Sequence, residues 1–249
     1  MLFFNPAEKR NEPEPTPDVL PSANDESPHI PNIPAEDQTS ANNEKSRKLA
    51  YLTFDDGPSK YTNELLDILK QYNARATFFL IGSKLNHYSG EVQRIVEEGS
   101  YPGLHSITHD YNKLYKSGSS SNFITEFKQE QKMVEDIVGF APDLIRAPYG
   151  SKPQIDEAFR GDISAAGFRM WDWTVDSRDW DFPEQPDKIV ELISSLLNRE
   201  QEIILLHERK QTVEALPHIL ELLKERGYEF EVYDPNAHFI ANFSGDIRL

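Results

Sequence analysis

The sequence predicts an α/β protein, a distorted (β/α) barrel of about seven parallel strands preceded by an extended, disordered N-terminal linker. Three observations carry that expectation. From residue 49 onward, short continuous apolar runs alternate with longer amphipathic stretches. All three Trp and all ten Tyr lie within 48–249, so the single core must form there. Eight of the 17 prolines fall in the first 47 residues, among Asn, Ser and Asp, and such a segment cannot bury enough apolar surface to offset its ordering entropy. The expected division is therefore a Pro-rich linker over 1–47 and one folded domain over 48–249.

The elements follow in order. An apolar run over 49–54 reads as the first strand, and 62–72, with Leu65, Leu66, Ile68 and Leu69 at helical spacing, as the helix behind it. A second strand is expected over 76–81 and its helix over 91–98. Residues 101–104 form a weak third strand, separated by a Ser/Gly loop at 117–121 from a long polar-faced helix over 123–138. Strands over 144–147, 168–173, 203–206 and 230–233 then alternate with helices near 155–166, 188–197 and 212–226. Seven strands spaced by helices imply parallel β/α units, and the length suits a barrel or a doubly wound sheet, of which the barrel is preferred.

Composition removes several function classes. A formal net charge of −16 argues against a nucleic-acid partner, which needs clustered Lys and Arg, and against attraction to an anionic membrane surface. With no cysteine there is neither a disulfide nor a thiolate metal site. The sequence has no apolar run of the roughly 20 residues needed to span a bilayer. Met1–Phe4 is too short for a signal segment, yet a polar Pro-rich spacer is what a tether to a wall or membrane requires. An export or anchor segment outside this sequence, an extracellular or cell-surface location and a monomeric state are the corresponding expectations.

Five polar clusters each fall just past a predicted strand: Thr53–Pro58, His105–His109, Arg146–Gly150, Asp176–Trp180 and His207–Glu208. In a parallel β/α fold all strand C-termini share one face, where sites are built, so the five should converge. Asp55 and Asp56, being adjacent, should point apart along a strand and serve different partners; Asp-Asp-Gly-Pro is also good turn chemistry. His105 and His109 stand at i, i+4, a helical spacing that puts two imidazoles on one face to hold a metal, and a carboxylate from elsewhere would complete a two-His, one-Asp set. An incidental pair is the bland alternative. His207 follows a buried run and is either a structural histidine or a general acid. His29, His87, His218 and His238 are assigned nothing.

Together the motifs Thr-Phe-Asp-Asp-Gly-Pro-Ser (53–59), Ala-Thr-Phe-Phe-Leu-Ile-Gly (76–82), His-Ser-x-x-His (105–109), Arg-x-Pro-Tyr-Gly (146–150), Asp-Ser-Arg-Asp-Trp (176–180) and His-Glu (207–208) resemble the polysaccharide deacetylases of the fourth carbohydrate esterase family. The resemblance covers roughly residues 48–233. It implies one divalent metal ion, Zn2+ before Co2+, Mn2+ or Ni2+, on Asp56, His105 and His109. It also implies that Asp55 is the general base, that Arg146 keeps Asp55 ionised and oriented, and that the Tyr149 backbone N–H stabilises the oxyanion. Asp179 would brace His207, the acid that protonates the leaving amine. Trp180 and Leu205 would wall the acetyl pocket, with Pro148 and Tyr149 also against the substrate. Two departures are Leu104, where the family often has Asn or Ser, and Glu208, where it more often has Asp.

The resemblance implies hydrolysis of N-acetyl groups on a cell-wall aminosugar polymer, with peptidoglycan N-acetylglucosamine ahead of chitin oligomers, N-acetylmuramic acid and acetylated xylan. A non-catalytic glycan-binding module is the rival from another class, but it would be expected to have lost catalytic groups that are all present here. A non-haem iron oxygenase fits the ligand types but not the β/α alternation, and a phosphotransferase would separate its aspartates by one residue. Trp171, Trp173 and Trp180 are candidates for sugar stacking, with core packing expected of at least one, and the loop over 110–122 is expected to shape access.

Overall fold

The computed structural model describes residues 47–249. The linker expected over 1–47 lies, except for Arg47, outside the described residues. Eight strands form one sheet: β1 (Lys48–Gly57), β2 (Thr77–Leu80), β3 (Tyr101–Leu104), β4 (Leu144–Ile145), β5 (Arg169–Met170), β6 (Val175–Asp176), β7 (Gln201–His207) and β8 (Tyr228–Glu231). Every pairing is parallel, in the order β5-β4-β3-β2-β1-β7-β6, with β8 added beside the start of β1. The result is an open half-barrel, with β5 and β6 as the ends of the strand path. The expected strand count differs by β6, whose two residues are too few to show a periodicity.

Helices α1 (Thr62–Gln71), α3 (Ser89–Glu97), α5 (Ser121–Val138), α6 (Glu157–Ala165), α7 (Pro186–Leu196) and α8 (Lys210–Glu225) stand where the sequence predicts them. Two single-turn helices were not anticipated: α2 (Gly82–Leu85) directly after β2, and α4 (Tyr111–Tyr115) inside the expected access loop. Neither is long enough to carry an amphipathic repeat.

Strand alternation sorts the side chains into two layers. On β1, Ala50, Leu52 and Phe54 face the helices, joined by Phe78 and Leu80 of β2 and Ile204 and Leu206 of β7 in the main core. The opposite face carries Phe79, Tyr101, Leu144, Trp171, Ile203 and Tyr233, a smaller cluster inside the half-barrel. Thr53, Asp55, Leu205 and His207 continue that inner series toward the strand tips. The register pairs Thr53 with Leu205 and Asp55 with His207 across β1 and β7, and Leu104 with Ile145 across β3 and β4. One inner face thus receives Asp55, His105, Arg146 and His207 at its mouth.

Of the three tryptophans, of which at least one was expected in the core, Trp171 is the one that packs there, fully buried. Its ring packs edge-on against Tyr51 and Tyr233 at 5.4 and 4.9 Å, and its Nε1 donates to the Phe239 carbonyl at 3.1 Å. It also forms a parallel bridge with Ala241, which brings the C-terminal segment alongside β5. Trp171→Ala should therefore destabilise the fold by about 3–5 kcal/mol in denaturant unfolding; a change below about 1 kcal/mol would show that the inner cluster is not a packed core.

Candidate active site

At the C-terminal mouth of the strands a pocket of about 470 Å³ is lined by Asp55, Asp56, His105, His109, Tyr149, Trp173, Trp180, Leu205 and His207, with Ala147, Gly150, Asp176 and Arg209 completing the wall. All five sequence clusters contribute predicted side chains directly to that wall: Asp55 and Asp56, His105 and His109, Tyr149, Trp180, and His207. Arg146 and Asp179 stand behind it, both fully buried. Pro148 is the exception among the predicted substrate contacts. It does not line the pocket, and its carbonyl accepts from the Tyr115 hydroxyl at 2.9 Å.

Asp55 and Arg146 form a buried pair. Arg146 Nη1 donates to Asp55 Oδ1 at 2.8 Å and to Thr53 Oγ1 at 2.7 Å, while Nε and Nη2 donate to the carbonyls of Trp171 and Asp172 at 3.1 and 2.9 Å. The Phe79 ring lies 4.1 Å from the guanidinium carbon. A buried arginine requires this degree of satisfaction, because a charge left unpaired in low dielectric is strongly destabilising. The pair also fixes the carboxylate, leaving Oδ2 turned toward His105 at 3.7 Å.

Alternation along a strand would aim Asp56 away from Asp55, but both line the pocket. The reason is local: Asp56 has φ +65°, a left-handed conformation that costs a non-glycine residue about 1–2 kcal/mol. Lys84 of α2 donates to its carbonyl at 2.6 Å. Among the described residues five of seven non-glycine positions with positive φ stand in these loops: Asp56, Ser106, His109, Tyr149 and Arg178. Such clustering of strained backbone is a mark of functional sites.

The two histidines are brought together by a route other than the one their spacing suggested. Residues 105–109 are a loop rather than a helical turn, closed by the His109 N–H donating to Ser106 Oγ at 3.0 Å. His105 Nδ1 lies 2.8 Å from the Arg146 carbonyl, which can only accept, so Nδ1 carries the proton and Nε2 presents a lone pair. That lone pair faces Asp56 Oδ1 at 3.8 Å, and His109 Nε2 faces the same oxygen at 3.5 Å. These separations are too long for hydrogen bonds. They suit donors about 2 Å from a shared cation, and one ligand atom from each of Asp56, His105 and His109 lies within 4.8 Å of the others. A carboxylate and an imidazole lone pair turned on one point fit a divalent metal.

Electrostatics follow the same grouping. Burial opposes ionisation of Asp56, but the imidazoles of His105, His207 and His109 and the Lys84 ammonium together hold its pKa below the usual carboxylate value. Burial and the neighbouring His105 push His109 down, toward the neutral form that binds metals. For His207, burial lowers the pKa, but the hydrogen bond and charge of Asp179, with Asp55 and Asp56 behind them, raise it overall. Asp179 Oδ1 lies 2.6 Å from His207 Nδ1, and its Oδ2 accepts from the His207 N–H and Thr212 Oγ1 at 2.7 and 2.5 Å.

Several contributors escaped the sequence reading. Glu126 and Glu130 of α5 are buried and grip the histidine loop from behind: Glu130 Oε1 accepts from the His105 N–H at 3.1 Å, and Glu126 Oε2 from the Thr108 N–H at 2.9 Å. Their signal is two acids interleaved with Phe123, Phe127 and Val134 on the buried stripe of a helix read as polar-faced. Glu208, a departure from the family pattern, is buried behind Gly57 and accepts from Ser59 and Thr62 at 2.7 and 2.6 Å, while burial pushes its pKa up to about 7. A Cβ on Gly57 would lie 2.0 Å from Glu208 Oε1, so the glycine is needed for that approach. Leu104, the other departure, is fully buried in the helix-facing core and does not line the pocket.

Comparison with known proteins places this arrangement. A family model described as polysaccharide deacetylase matches residues 42–171. A peptidoglycan-N-acetylglucosamine deacetylase of Bacillus cereus is 46% identical over 213 residues, covering 83% of this chain and 77% of that protein. The crystal structure of the polysaccharide deacetylase Bc1974 from Bacillus cereus is similar with a TM-score of 0.79 and 45% identity, covering 82% of this chain and all (100%) of that one. The catalytic domain of a peptidoglycan N-acetylglucosamine deacetylase from Eubacterium rectale follows at a TM-score of 0.72 and 29% identity, over 78% of this chain and 92% of that one. With the motifs gathered at one mouth of the half-barrel, these matches show that the chain belongs to the polysaccharide deacetylase family.

Proposed function

We propose that the protein is a metal-dependent hydrolase that removes N-acetyl groups from the N-acetylglucosamine of peptidoglycan. One observation carries the reading: the register that sets Asp55 opposite His207 across β1 and β7 puts a base and an acid beside the donor set of Asp56, His105 and His109. Amide hydrolysis needs both, because water must lose a proton and the departing nitrogen must gain one. A divalent ion on the three donors, Zn2+ before Co2+, Mn2+ or Ni2+, supplies the Lewis acidity that polarises the acetyl carbonyl and acidifies water.

The chain's own groups divide the remaining work. Arg146 holds Asp55 by Oδ1 and so presents Oδ2 to take the proton of the attacking water. Asp179 binds His207 at Nδ1, leaving Nε2 to deliver a proton to the amine. The Tyr149 backbone N–H, set by a left-handed φ of +66°, is the donor for the oxyanion. Leu205 and Trp180 wall the acetyl group, and the Tyr149 ring, held by its hydroxyl to the His109 carbonyl at 3.0 Å, covers the open side. Substrate preference for peptidoglycan glucosamine rests on the names of the relatives, and an extracellular or cell-surface location follows from that substrate. The complete set of acid, base and donors disfavours a binding module.

The direct test is acetate release from N-acetylated wall fragments with Zn2+, Co2+, Mn2+ or Ni2+ supplied, followed by mass spectrometry of the sugars. Loss of acetyl from glucosamine but not from muramic acid is expected; retained polymer binding with no acetate released under any metal would sink the hydrolase reading. Asp55→Asn should keep its metal content and lose turnover about 10²-fold or more, whereas Asp56→Asn should lose the metal itself. The reverse pattern in metal analysis would exchange the two aspartates.

His207 must be protonated to act as acid, so activity should fall as pH rises through its raised pKa. Removing the Asp179 charge takes away the main upward influence. Asp179→Asn should therefore move the alkaline limb of the kcat–pH profile to lower pH, and a limb that stays in place would remove His207 from proton delivery.

A further inference from the structure

The loop that carries His105 and His109 belongs to neither a helix nor a strand, so its backbone groups need partners from elsewhere. Two helices supply them. At the start of α2 the Gly82 and Ser83 N–H groups donate to the Ser106 and Ile107 carbonyls at 2.9 and 3.1 Å. On the α5 side, Glu130 Oε1 shares the His105 N–H with the Leu80 carbonyl, at 3.1 and 2.8 Å respectively, and Glu126 takes the far end of the loop. A Cβ on Gly82 would lie 2.4 Å from Ile107 Cδ1, so the loop is packed hard against α2.

Glu126 is buried on the apolar stripe of α5, beside Phe123 and Phe127. Its Oε2 accepts from the Thr108 N–H at 2.9 Å, and the Thr108 hydroxyl lies 2.9 and 3.0 Å from its two oxygens. The Lys113 ammonium of α4 stands 2.7 Å from Oε1. A buried carboxylate is tolerated only when it is paired in this way. Thr108 directly precedes His109, whose φ of +54° is a conformation that persists only where the surroundings over-determine it. The other bonds to His109 come from the mouth itself: its N–H donates to Ser106 Oγ, and its carbonyl accepts from the Tyr149 hydroxyl. Ser106 and Tyr149 are themselves left-handed, at φ +70° and +66°. Glu126 is therefore what ties this end of the loop to the helix layer.

We propose that Glu126 is a positioning residue for the metal centre: by holding the Thr108 N–H and hydroxyl it fixes the strained backbone of His109, and with it the direction of the His109 imidazole. The inference rests on the reading of Asp56, His105 and His109 as metal donors. Lys113 already balances the Glu126 charge, so what the carboxylate contributes is geometry. Without it the backbone at 108–109 is free to return to an ordinary conformation, which carries the imidazole away from Asp56.

The test measures Zn2+ affinity of the full chain by competition with a chromophoric chelator, with the visible spectrum of the Co2+ form as a second readout. Glu126→Gln keeps an acceptor for the Thr108 N–H, whereas Glu126→Met keeps the bulk and removes the acceptor. The Met variant should raise the Zn2+ Kd about 10- to 100-fold, the usual effect of losing a group that orients a ligand, and should alter the Co2+ bands. The Gln variant should stay near wild type. Thr108→Val, made on the exposed partner, should shift Kd the same way by less, and answers the question even if Glu126→Met does not fold. Val134→Ala, a packing change in the same helix, should lower Tm and leave Kd alone.

Equal losses in Gln and Met would assign the effect to charge and overturn the proposal. So would an unchanged Kd in the Met and Thr108→Val variants, or a Val134→Ala variant that weakens Zn2+ as much as Met does. A wild-type chain that holds Zn2+ tightly while every variant matches it would leave the donor set standing and remove Glu126 from it. A wild-type chain that binds neither Zn2+ nor Co2+ would instead overturn the donor set, and the role of Glu126 with it.

Discussion

A fully buried guanidinium sets the terms for the whole mouth. Arg146 spends its donors on Asp55, Thr53 and two backbone carbonyls, and its own carbonyl faces His105 Nδ1. One residue at the tip of a two-residue strand thereby orients both the carboxylate read as base and the first imidazole of the donor set. An Arg–carboxylate pair in this setting is weak evidence of stability, since desolvation consumes much of the attraction. Its value is positional: with every partner satisfied, the geometry has little freedom to relax.

The charge balance of the protein acquires meaning against that centre. The chain carries a formal −16, yet the inner mouth concentrates Arg146, Lys84, Arg209 and three imidazoles around two aspartates. The three imidazoles and the Lys84 ammonium hold the Asp56 pKa below the usual carboxylate value despite its burial. A divalent ion would therefore meet a preformed anionic ligand rather than one that must first shed a proton. The same aspartates act at a distance on His207 and, with Asp179, raise its pKa. Opposite demands on neighbouring groups are met by burying them unequally and pairing each with a different partner.

Much of this was legible in the sequence because the chemistry interrupts apolar runs. Asp55, His105, Arg146 and His207 each follow a stretch that must be strand, and parallel topology does the rest. Legibility failed where the signal was short or disguised. The two residues of β6 and the single turns α2 and α4 offer no period to detect. The left-handed Asp56 broke an alternation that sequence reasoning had to assume, and the histidine loop reached by backbone strain what i, i+4 spacing attributed to a helix. Glu126 and Glu130 were invisible for a different reason: a carboxylate on a helix reads as solvent-facing until the loop whose N–H groups it serves is known. Which tryptophan packs the core, and that Pro148 stands back from the pocket wall, could not be read, because residue type alone does not distinguish a stacking platform from a packed interior.

The open half-barrel leaves backbone at risk. A sheet that does not close ends in strands whose outer donors and acceptors invite another chain, the hazard that closed barrels abolish. Here the bridge from Trp171 to Ala241, together with the Asp172 N–H donating to the Ala241 carbonyl at 2.9 Å, lays the C-terminal segment against the β5 side of the opening. Those last residues therefore serve as a guard against self-association. A protein shortened before Phe239 would bare that border and face aggregation before it faced any loss at the catalytic mouth.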